Sequence, residues 1–230
     1  MKNDYFNASK SPAIGLLAVL PLIIAYEWLS RSLFAEEGIQ LRNMVDSTFR
    51  QIFDYLGLGH NLLLVIFMVA VVLALLLDSK QAASIHLHYF GLVVIESAFY
   101  AVLLGSIVSR LTATVLSMSN NHLSDRAAIM LSLGAGAYEE LVFRGIIYQF
   151  TALPLIRYLD VTPLIAFIQA AVLSSLLFSG LHYLGTENFT WYTAYYRFFA
   201  GLFFCGLYQL RGLGVAAWTH ALYDLFIYLT

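Results

Sequence analysis

Seven stretches of this chain are apolar over about the 20 residues that an α-helix needs to cross a bilayer. The second contains an unbroken apolar run from Leu62 to Leu77. Inside a bilayer the backbone must satisfy its own hydrogen bonds, which a helix does within one segment. We therefore predict an all-α fold, a polytopic transmembrane helix bundle of about seven spans, within a range of six to eight. The predicted spans are Ala13 to Leu33, Leu58 to Leu77, Tyr89 to Val108, Ala127 to Phe150, Pro163 to His182, Trp191 to Leu210 and Leu213 to Leu229.

The composition agrees with a membrane protein and argues against nucleic-acid binding. Hydrophobic residues make up 60% of the 230 residues and charged residues only 11%, whereas soluble domains carry about 25% charged residues. The net charge of −2 provides no basic surface to neutralise phosphates. No linker or repeat marks a second domain. We expect a single integral-membrane domain over residues 1–230, multi-pass in the lipid bilayer and best suited to a bacterial inner membrane.

A charged segment between the first two spans has the period of an amphipathic helix. Its charges recur every four residues and alternate in sign, and an apolar stripe lies beside them. The charged residues are Arg42, Asp46, Arg50 and Asp54. We predict that this helix, near residues 39–56, lies at the membrane interface. A role in gating the entry of a substrate is the alternative.

Three ionisable residues, Glu139, Glu140 and Arg144, interrupt the fourth apolar stretch. A charge in the middle of a membrane helix costs roughly 2.5 to 3.5 kcal/mol on insertion scales. The three charges together cost on the order of 7 to 10 kcal/mol before any pairing. Catalytic chemistry is the explanation that we favour for such a cost.

Helical geometry separates the two glutamates. Glu140 precedes Arg144 by four residues on one helical face, which is the favourable order for an ion pair. Glu139 points about 100° away from that face. A structural salt bridge therefore explains Glu140 and Arg144 but leaves Glu139 available for catalysis. The small residues at 134–137 would let another helix or a substrate backbone approach closely.

Two later spans carry polar residues of the kind that work with a buried carboxylate. The fifth span ends with His182, and the seventh places His220 and Asp224 four residues apart on one helical face. Taken singly, His182 is compatible with an interfacial histidine, and the other two with a plain polar contact between helices. Ionisable residues within membranes face the bundle interior or a water-filled cavity. We therefore predict that all three converge on Glu139 in one hydrated site.

Three motifs in this order resemble those of the CPBP family, the CAAX protease and bacteriocin-processing (Abi) group of intramembrane endopeptidases, which includes the Ras-converting CAAX prenyl protease. The motifs are Glu139-Glu140-x-x-x-Arg144, Phe178-x-x-x-His182 and His220-x-x-x-Asp224. The resemblance covers catalytic core helices at residues 127–230. It implies hydrolysis of a peptide bond in a peptide or lipidated protein within the membrane. Many members have asparagine in place of Asp224, and an ionised aspartate cannot donate a hydrogen bond to an oxyanion.

The chemistry of the residues allows roles to be assigned. Peptide hydrolysis without a suitable serine or cysteine nucleophile needs an activated water, for which a buried carboxylate is a suitable general base. We assign that role to Glu139, with His182 positioning the same water. His220 would polarise the scissile carbonyl or stabilise the oxyanion, and Asp224 would orient His220 or hold it protonated. The supporting residues are Glu140, Arg144 and, on the motif alone, Phe178.

We expect no cofactor, and a zinc ion is the alternative. Glu139, His182, His220 and Asp224 offer nitrogen and oxygen ligands of the kind that hold Zn²⁺, which would lower the pKa of a bound water. The His-Glu-x-x-His signature of common zinc proteases is absent from the sequence. We therefore favour a glutamic-type endopeptidase over a metalloprotease.

Two other functional classes stay open. A relative without activity would act as a membrane scaffold or as an immunity or regulatory protein, although the intact glutamate and histidine set argues against it. A proton-coupled transporter would use Glu96, Glu139 and His220 as a relay, although neither repeats nor paired broken helices are detectable. The resemblance offers three substrate classes: prenylated CAAX peptides, leader peptides of bacteriocins and pheromones, and C-terminal sorting tails. The oligomeric state stays open.

Overall fold

The structure of the chain, a computed structural model, describes residues 4–38, 40–78, 86–118, 124–184 and 188–229. These residues form helices joined by short connections, and no strand occurs among them. Six of the seven predicted apolar spans lie within helical segments, and in the second, Leu58 to Leu77, the helix begins only at Leu62. The all-α fold class is therefore confirmed.

The first half of the chain forms five helices with recognisable end signals. They are α1 (Asp4–Ala8), α2 (Pro12–Glu37), α3 (Met44–Tyr55), α4 (Leu62–Leu77) and α5 (Leu87–Met118). Pro12 occupies the first turn of α2, where its missing N–H needs no partner. Gly38 ends α2 with a φ of 68°, which glycine adopts without strain. Asn43 caps α3 by accepting a hydrogen bond from the N–H of Val45.

The second half begins with one long helical segment that carries the first motif. Helix α6 (Asp125–Gly134) continues through two π-helical stretches, π1 (Ala135–Glu139) and π2 (Leu141–Tyr148), into α7 (Gln149–Tyr158). Helix α8 (Pro163–Leu181) ends in a 3₁₀ turn (His182–Leu184), and α9 (Trp191–Arg211) and α10 (Leu213–Leu229) follow. Helix α10 packs against α2, α5, α6 and π1, which places it centrally in the bundle. π-Helical turns often occur at functional sites.

Among the described residues, three helices are long and apolar enough to cross a membrane. They are Pro12–Glu37, Leu87–Ser106 and Pro163–Leu184, and the shorter Leu62–Leu77 is also apolar. On α4, large apolar side chains such as Val69, Leu73 and Leu76 are at least half exposed. An exposed apolar surface of this kind suits contact with lipid. The chain is an integral membrane protein, and the count of seven spans stays a prediction.

Two glycines before Glu139 allow other elements to approach closely, as the small residues there predicted. A Cβ at Gly136 would lie 2.4 Å from the backbone oxygen of Ala217 on α10. A Cβ at Gly134 would lie 2.6 Å from the ring of Tyr26 and 2.9 Å from Cβ of Asn43. Only glycine fits at either position without movement of the neighbouring element. These contacts bring α10 and the residue before α3 next to the turn that carries Glu139.

Three of the four charges predicted on the polar face, Arg42, Asp46 and Arg50, pair inside the protein, whereas Asp54 is exposed. Glu27 of α2 accepts from Arg42 and from Arg50, each at 2.8 Å. Asp46 is fully buried and pairs with Arg50 at 2.7 Å and with Arg42 at 3.2 Å. Burial alone would lower the pKa of Arg42, but Glu27, Tyr26 and Asp46 together more than offset it, and that pKa is raised above its ordinary value. We call Glu27, Arg42, Asp46 and Arg50 the α2–α3 charge cluster.

Alternating charges on an amphipathic helix therefore mark an internal ion-pair network here. The sequence pattern identified α3 as a helix but did not identify what its charged side packs against. The predicted location at the membrane interface stays a prediction, and Ile39, at the start of the predicted range, lies outside the described residues.

Candidate active site

The predicted ion pair between Glu140 and Arg144 is present in the structure. Nη1 of Arg144 donates to Oε1 of Glu140 at 2.8 Å, and both side chains are fully buried. Nη2 of Arg144 donates to the backbone oxygen of Gly201 on α9 at 3.1 Å. A buried charge without such partners is expensive to desolvate. The pair therefore fastens the helix that carries Glu139 to α9.

Aromatic rings lie over the guanidinium of Arg144 and link it to both histidines. Its Cζ atom lies 4.7 Å from the ring centre of Phe178 and 5.3 Å from that of Phe204, within the range of cation–π attraction. Phe178 makes edge-to-face contacts with His182 at 5.2 Å and His220 at 5.9 Å between ring centres. The motif residue Phe178 thus packs inside the site.

His220 is held by Glu140, a contact that the sequence did not predict. Its Nδ1 lies 2.7 Å from Oε1 of Glu140, the oxygen that also binds Arg144. Its Nε2 lies 3.6 Å from Oδ2 of Asp224, which is too long for a direct hydrogen bond. Its ring stacks on Phe204 at 4.5 Å with 19° between the planes. Glu140 therefore supports both Arg144 and His220, and the orienting role predicted for Asp224 falls at least partly to Glu140.

Glu139 is buried and presents its two oxygens to different partners. Oε1 accepts a hydrogen bond from Nδ2 of Asn43 at 2.8 Å. Oε2 lies 4.0 Å from Nε2 of His220. The carboxylate also interacts electrostatically with His182 and Arg144. The predicted separation of the two glutamates is therefore present, since Glu140 holds Arg144 while Glu139 turns toward His220.

His182 lies at the start of the 3₁₀ turn that follows α8. Its Nδ1 is 2.9 Å from the backbone oxygen of Phe178, and it is only partly buried. Because a carbonyl oxygen only accepts, Nδ1 carries the proton of this hydrogen bond. In the neutral ring Nε2 is then the basic nitrogen, which suits a residue that holds a water by accepting its hydrogen.

The structure brings the predicted catalytic residues into one site. Direct contacts or short separations join Glu139, Glu140, His220 and Asp224, and His182 reaches the same site through its electrostatic interaction with Glu139. The side chain of Asp224 is 26% exposed, against 6% for His220 and 5% for Glu139. Asp224 is therefore the most exposed of these three side chains.

Three residues of the site were not identified from the sequence. Asn43 precedes Glu139 by 96 residues, Phe204 is one of several aromatic residues in α9, and Gly201 contributes only its backbone. The position of Asn43 before an amphipathic helix signals a helix cap. Nothing in a local pattern signals its contact with the fourth apolar stretch.

Glu96, the residue that favoured a proton relay, is tied into a separate ion pair. Nε and Nη2 of Arg211 donate to its two carboxylate oxygens at 2.5 and 2.9 Å. The hydroxyl of Tyr5 donates to Oε2 at 2.5 Å. These contacts join α1, α5 and α9, so a structural role accounts for Glu96.

One comparison with known proteins gave a match. Residues 126–226, a little under half of the chain, match the family model Rce1-like, described as type II CAAX prenyl endopeptidase Rce1-like. Over this segment the chain is similar to the CPBP family, to which that model belongs. The comparisons with curated proteins and with solved structures gave no match.

The matched segment contains all three motifs, from Glu139 to Asp224. The family match therefore implies a protease, embedded in the membrane through its apolar helices. Asn43 lies outside the matched segment, so one partner of the site comes from the N-terminal half of the chain.

The side chains of the site bear on the zinc alternative. Within the part of the chain that the structure describes, no group of three or more histidine, cysteine or acidic side chains has an arrangement that could hold one. In this arrangement the four residues proposed as zinc ligands do not form a metal site. The expectation that the protein needs no cofactor stays a prediction.

Proposed function

We propose that this protein is an intramembrane endopeptidase that hydrolyses a peptide bond with a water activated by Glu139 and His182. The observation that carries the proposal is the position of Oε2 of Glu139, 4.0 Å from Nε2 of His220. This separation is too long for a direct hydrogen bond and suits two groups that act on a reacting water and a carbonyl between them. The match to a CAAX prenyl endopeptidase family supports the same reaction class.

The proposed reaction begins with proton transfer from water to Glu139. The water oxygen forms a bond to the scissile carbonyl carbon while its proton passes to Oε2, and His182 orients the water through its ring nitrogen. The carbonyl π electrons move to oxygen and produce the oxyanion. The C–N bond then breaks, and the proton held by Glu139 passes to the leaving amine. The products are a carboxylic acid and an amine, with no net consumption of protein groups.

His220 is placed to stabilise the oxyanion. Because the carboxylate of Glu140 only accepts hydrogen bonds, Nδ1 of His220 carries a proton. An imidazolium ring also carries a proton on Nε2 and donates from there toward the carbonyl oxygen. Glu140 and Asp224, on opposite sides of the ring, stabilise that cationic form. Asp224 thereby acts through its negative charge. It does not need to donate a hydrogen bond to the oxyanion as asparagine would.

We further propose a lipidated peptide or protein as the substrate. The family name supports prenylated CAAX peptides ahead of leader peptides and sorting tails. The site is buried among apolar helices, which suits a substrate that arrives with a lipid group. We propose seven spans in one domain over residues 1–230, with residues 127–230 as the catalytic core, in a bacterial inner membrane.

Replacement of Glu139 by glutamine tests the proposed function. Peptide termini are compared by mass spectrometry in membranes that carry the wild type, Glu139→Gln or the control Glu37→Gln, which alters a glutamate near the end of α2. We expect a set of termini that disappears with Glu139→Gln and persists with Glu37→Gln, at equal protein abundance. Loss of a general base typically lowers the rate by about 10² to 10⁴-fold. If no terminus depends on Glu139, the protein is better explained as a scaffold or regulator.

The proposal of a reaction without a metal has its own test. A farnesylated CAAX peptide is incubated with purified protein before and after treatment with a chelator. We expect cleavage to continue at the same rate. Loss of cleavage on chelation, followed by recovery with added Zn²⁺, would establish a metalloprotease instead.

A further inference from the structure

Asn43 uses all of its polar groups in buried contacts. Its Nδ2 donates to Oε1 of Glu139 at 2.8 Å, and its Oδ1 accepts from the N–H of Val45 at 2.9 Å. Its own backbone N–H donates to the hydroxyl of Tyr26 at 2.9 Å. Because the backbone N–H of Val45 can only donate and the carboxylate of Glu139 can only accept, the orientation of the Asn43 side-chain amide is fixed.

Neighbouring groups hold Asn43 from two sides. Gly134, one and a half turns before Glu139, leaves the space that Tyr26 and Asn43 occupy, since a Cβ there would lie 2.9 Å from Cβ of Asn43. The hydroxyl of Tyr26 donates to Asp46 of the α2–α3 charge cluster at 2.8 Å. The cluster and its tyrosine therefore fix the start of α3 against the helix that carries Glu139.

The contact determines which oxygen of Glu139 faces the reacting groups. A carboxylate has two equivalent oxygens, and rotation about its last bond exchanges them. The hydrogen bond from Asn43 to Oε1 leaves Oε2 toward His220. Because Asn43 is a neutral donor, it does this without adding a further cation beside the carboxylate.

We propose that Asn43 is a positioning residue, which holds Oε2 of Glu139 toward His220 and the scissile bond. This inference rests on the proposed function. Neither the three motifs nor the matched segment includes Asn43. It assigns a catalytic purpose to the connection between α2 and α3 and to the charges that hold it.

Variants that keep the helix cap separate positioning from stability. Serine and aspartate both accept from the N–H of Val45, but serine is too short to reach Glu139 and aspartate has no donor. We expect Asn43→Ser to lower kcat by roughly 10 to 100-fold with KM unchanged, since a small misplacement of a catalytic group has effects of this size. We expect Asn43→Asp to lower kcat further, because two carboxylates then repel each other.

Ser124→Ala is the matched control. The side chain of Ser124 caps α6 by accepting a hydrogen bond from the N–H of Ala127. The substitution removes this cap and leaves the contact between Asn43 and Glu139 intact. We expect this variant to lower the melting temperature slightly and to keep the wild-type kcat. All variants are assayed in detergent with a farnesylated CAAX peptide, together with Glu139→Gln.

The outcomes distinguish the positioning role of Asn43 from the proposed endopeptidase function. If Glu139→Gln is inactive and both Asn43→Ser and Asn43→Asp keep the wild-type kcat, Asn43 is only a helix cap and the inference is overturned. If kcat falls in proportion to the melting temperature in all variants, including Ser124→Ala, the role of Asn43 is structural and the inference is again overturned. If Glu139→Gln itself cleaves the peptide normally, the proposed function fails.

Discussion

Two groups of buried charges in this protein differ in how completely they are paired. The α2–α3 charge cluster contains two carboxylates and two arginines, and hydroxyls of Tyr26 and Tyr138 complete it. The active site contains three carboxylates with one arginine and two histidines, His182 and His220. Within the described part of the chain, Oε2 of Glu140 and Nε of Arg144 are buried without a hydrogen-bond partner.

The difference separates a structural cluster from a reactive one. Balanced, fully bonded charges fix one helix against another, as Glu27 does for α3. An excess of carboxylates around one histidine is costly in a folded protein and stabilises a charge that develops during a reaction. The structural cluster also supports the reactive one, because Asn43 lies between them.

Removal of Arg144 should have the largest effect, and the effect is on stability. Arg144→Met leaves Glu140 buried with His220 alone, and breaking a buried ion pair in this way costs about 3 to 5 kcal/mol. We expect little folded protein by size-exclusion chromatography in detergent. We also expect a strongly lowered melting temperature in a thermal-unfolding assay. The double variant Glu140→Gln/Arg144→Met removes both charges and should recover part of the loss. A wild-type melting temperature for Arg144→Met would show that the site is not held by this pair.

Replacement of His220 should have the next largest effect, on catalysis. His220→Gln removes the cationic donor, and loss of one oxyanion donor lowers kcat by about 10² to 10³-fold. The melting temperature should change little, because Glu140 keeps Arg144. His60→Gln, which alters an exposed histidine, is the control. Cleavage of a farnesylated CAAX peptide by His220→Gln within twofold of the wild type would remove His220 from the mechanism.

Replacement of Glu27 should act on stability without removing a catalytic group. Glu27→Gln weakens the contacts with Arg42 and Arg50, and hydrogen bonds to charged groups contribute about 1.5 to 3 kcal/mol each. We expect a lowered melting temperature and cleavage reduced less than tenfold at a temperature where the variant is folded. Glu37→Gln, on the same helix but outside the cluster, should melt like the wild type. An unchanged melting temperature for Glu27→Gln would show that the cluster contributes nothing to folding.

The smallest effect is expected at Asp224. Asparagine has the same size, keeps one acceptor and adds a donor toward the oxyanion. We expect Asp224→Asn to retain kcat within about tenfold of the wild type, and Asp224→Ala to lose more. The comparison is made with the same peptide over a range of concentrations. Equally large losses for asparagine and alanine would mean that the negative charge of Asp224 is indispensable.

The sequence predicted those features that depend on local periodicity. The apolar stretches are helical over most of their length because a bilayer span needs internal backbone hydrogen bonds. The spacing of Glu140 and Arg144 predicted their ion pair because residues four apart meet on one helical face. The ordered motifs placed Glu139, His220 and Asp224 together before any distance was known.

Features that depend on long-range packing could not be predicted. The charges of α3 have the same period whether they face water or α2, so the pattern did not reveal their pairing with Glu27. Glu140 binds both Arg144 and His220 because α10 approaches closely at Gly136. A helical wheel shows only the contact between Glu140 and Arg144. Asn43 reaches Glu139 through the space at Gly134, which no local pattern reports.

The most direct test of this account compares Glu139→Gln with Glu27→Gln for cleavage and for melting. Both substitutions remove one negative charge from a buried glutamate. We predict that Glu139→Gln loses cleavage of the farnesylated CAAX peptide by about 10² to 10⁴-fold and melts at or above the wild-type temperature. We predict the reverse for Glu27→Gln, with a lower melting temperature and retained cleavage. Retained cleavage by Glu139→Gln, or equal losses of stability in both variants, would contradict the division into a reactive and a structural cluster.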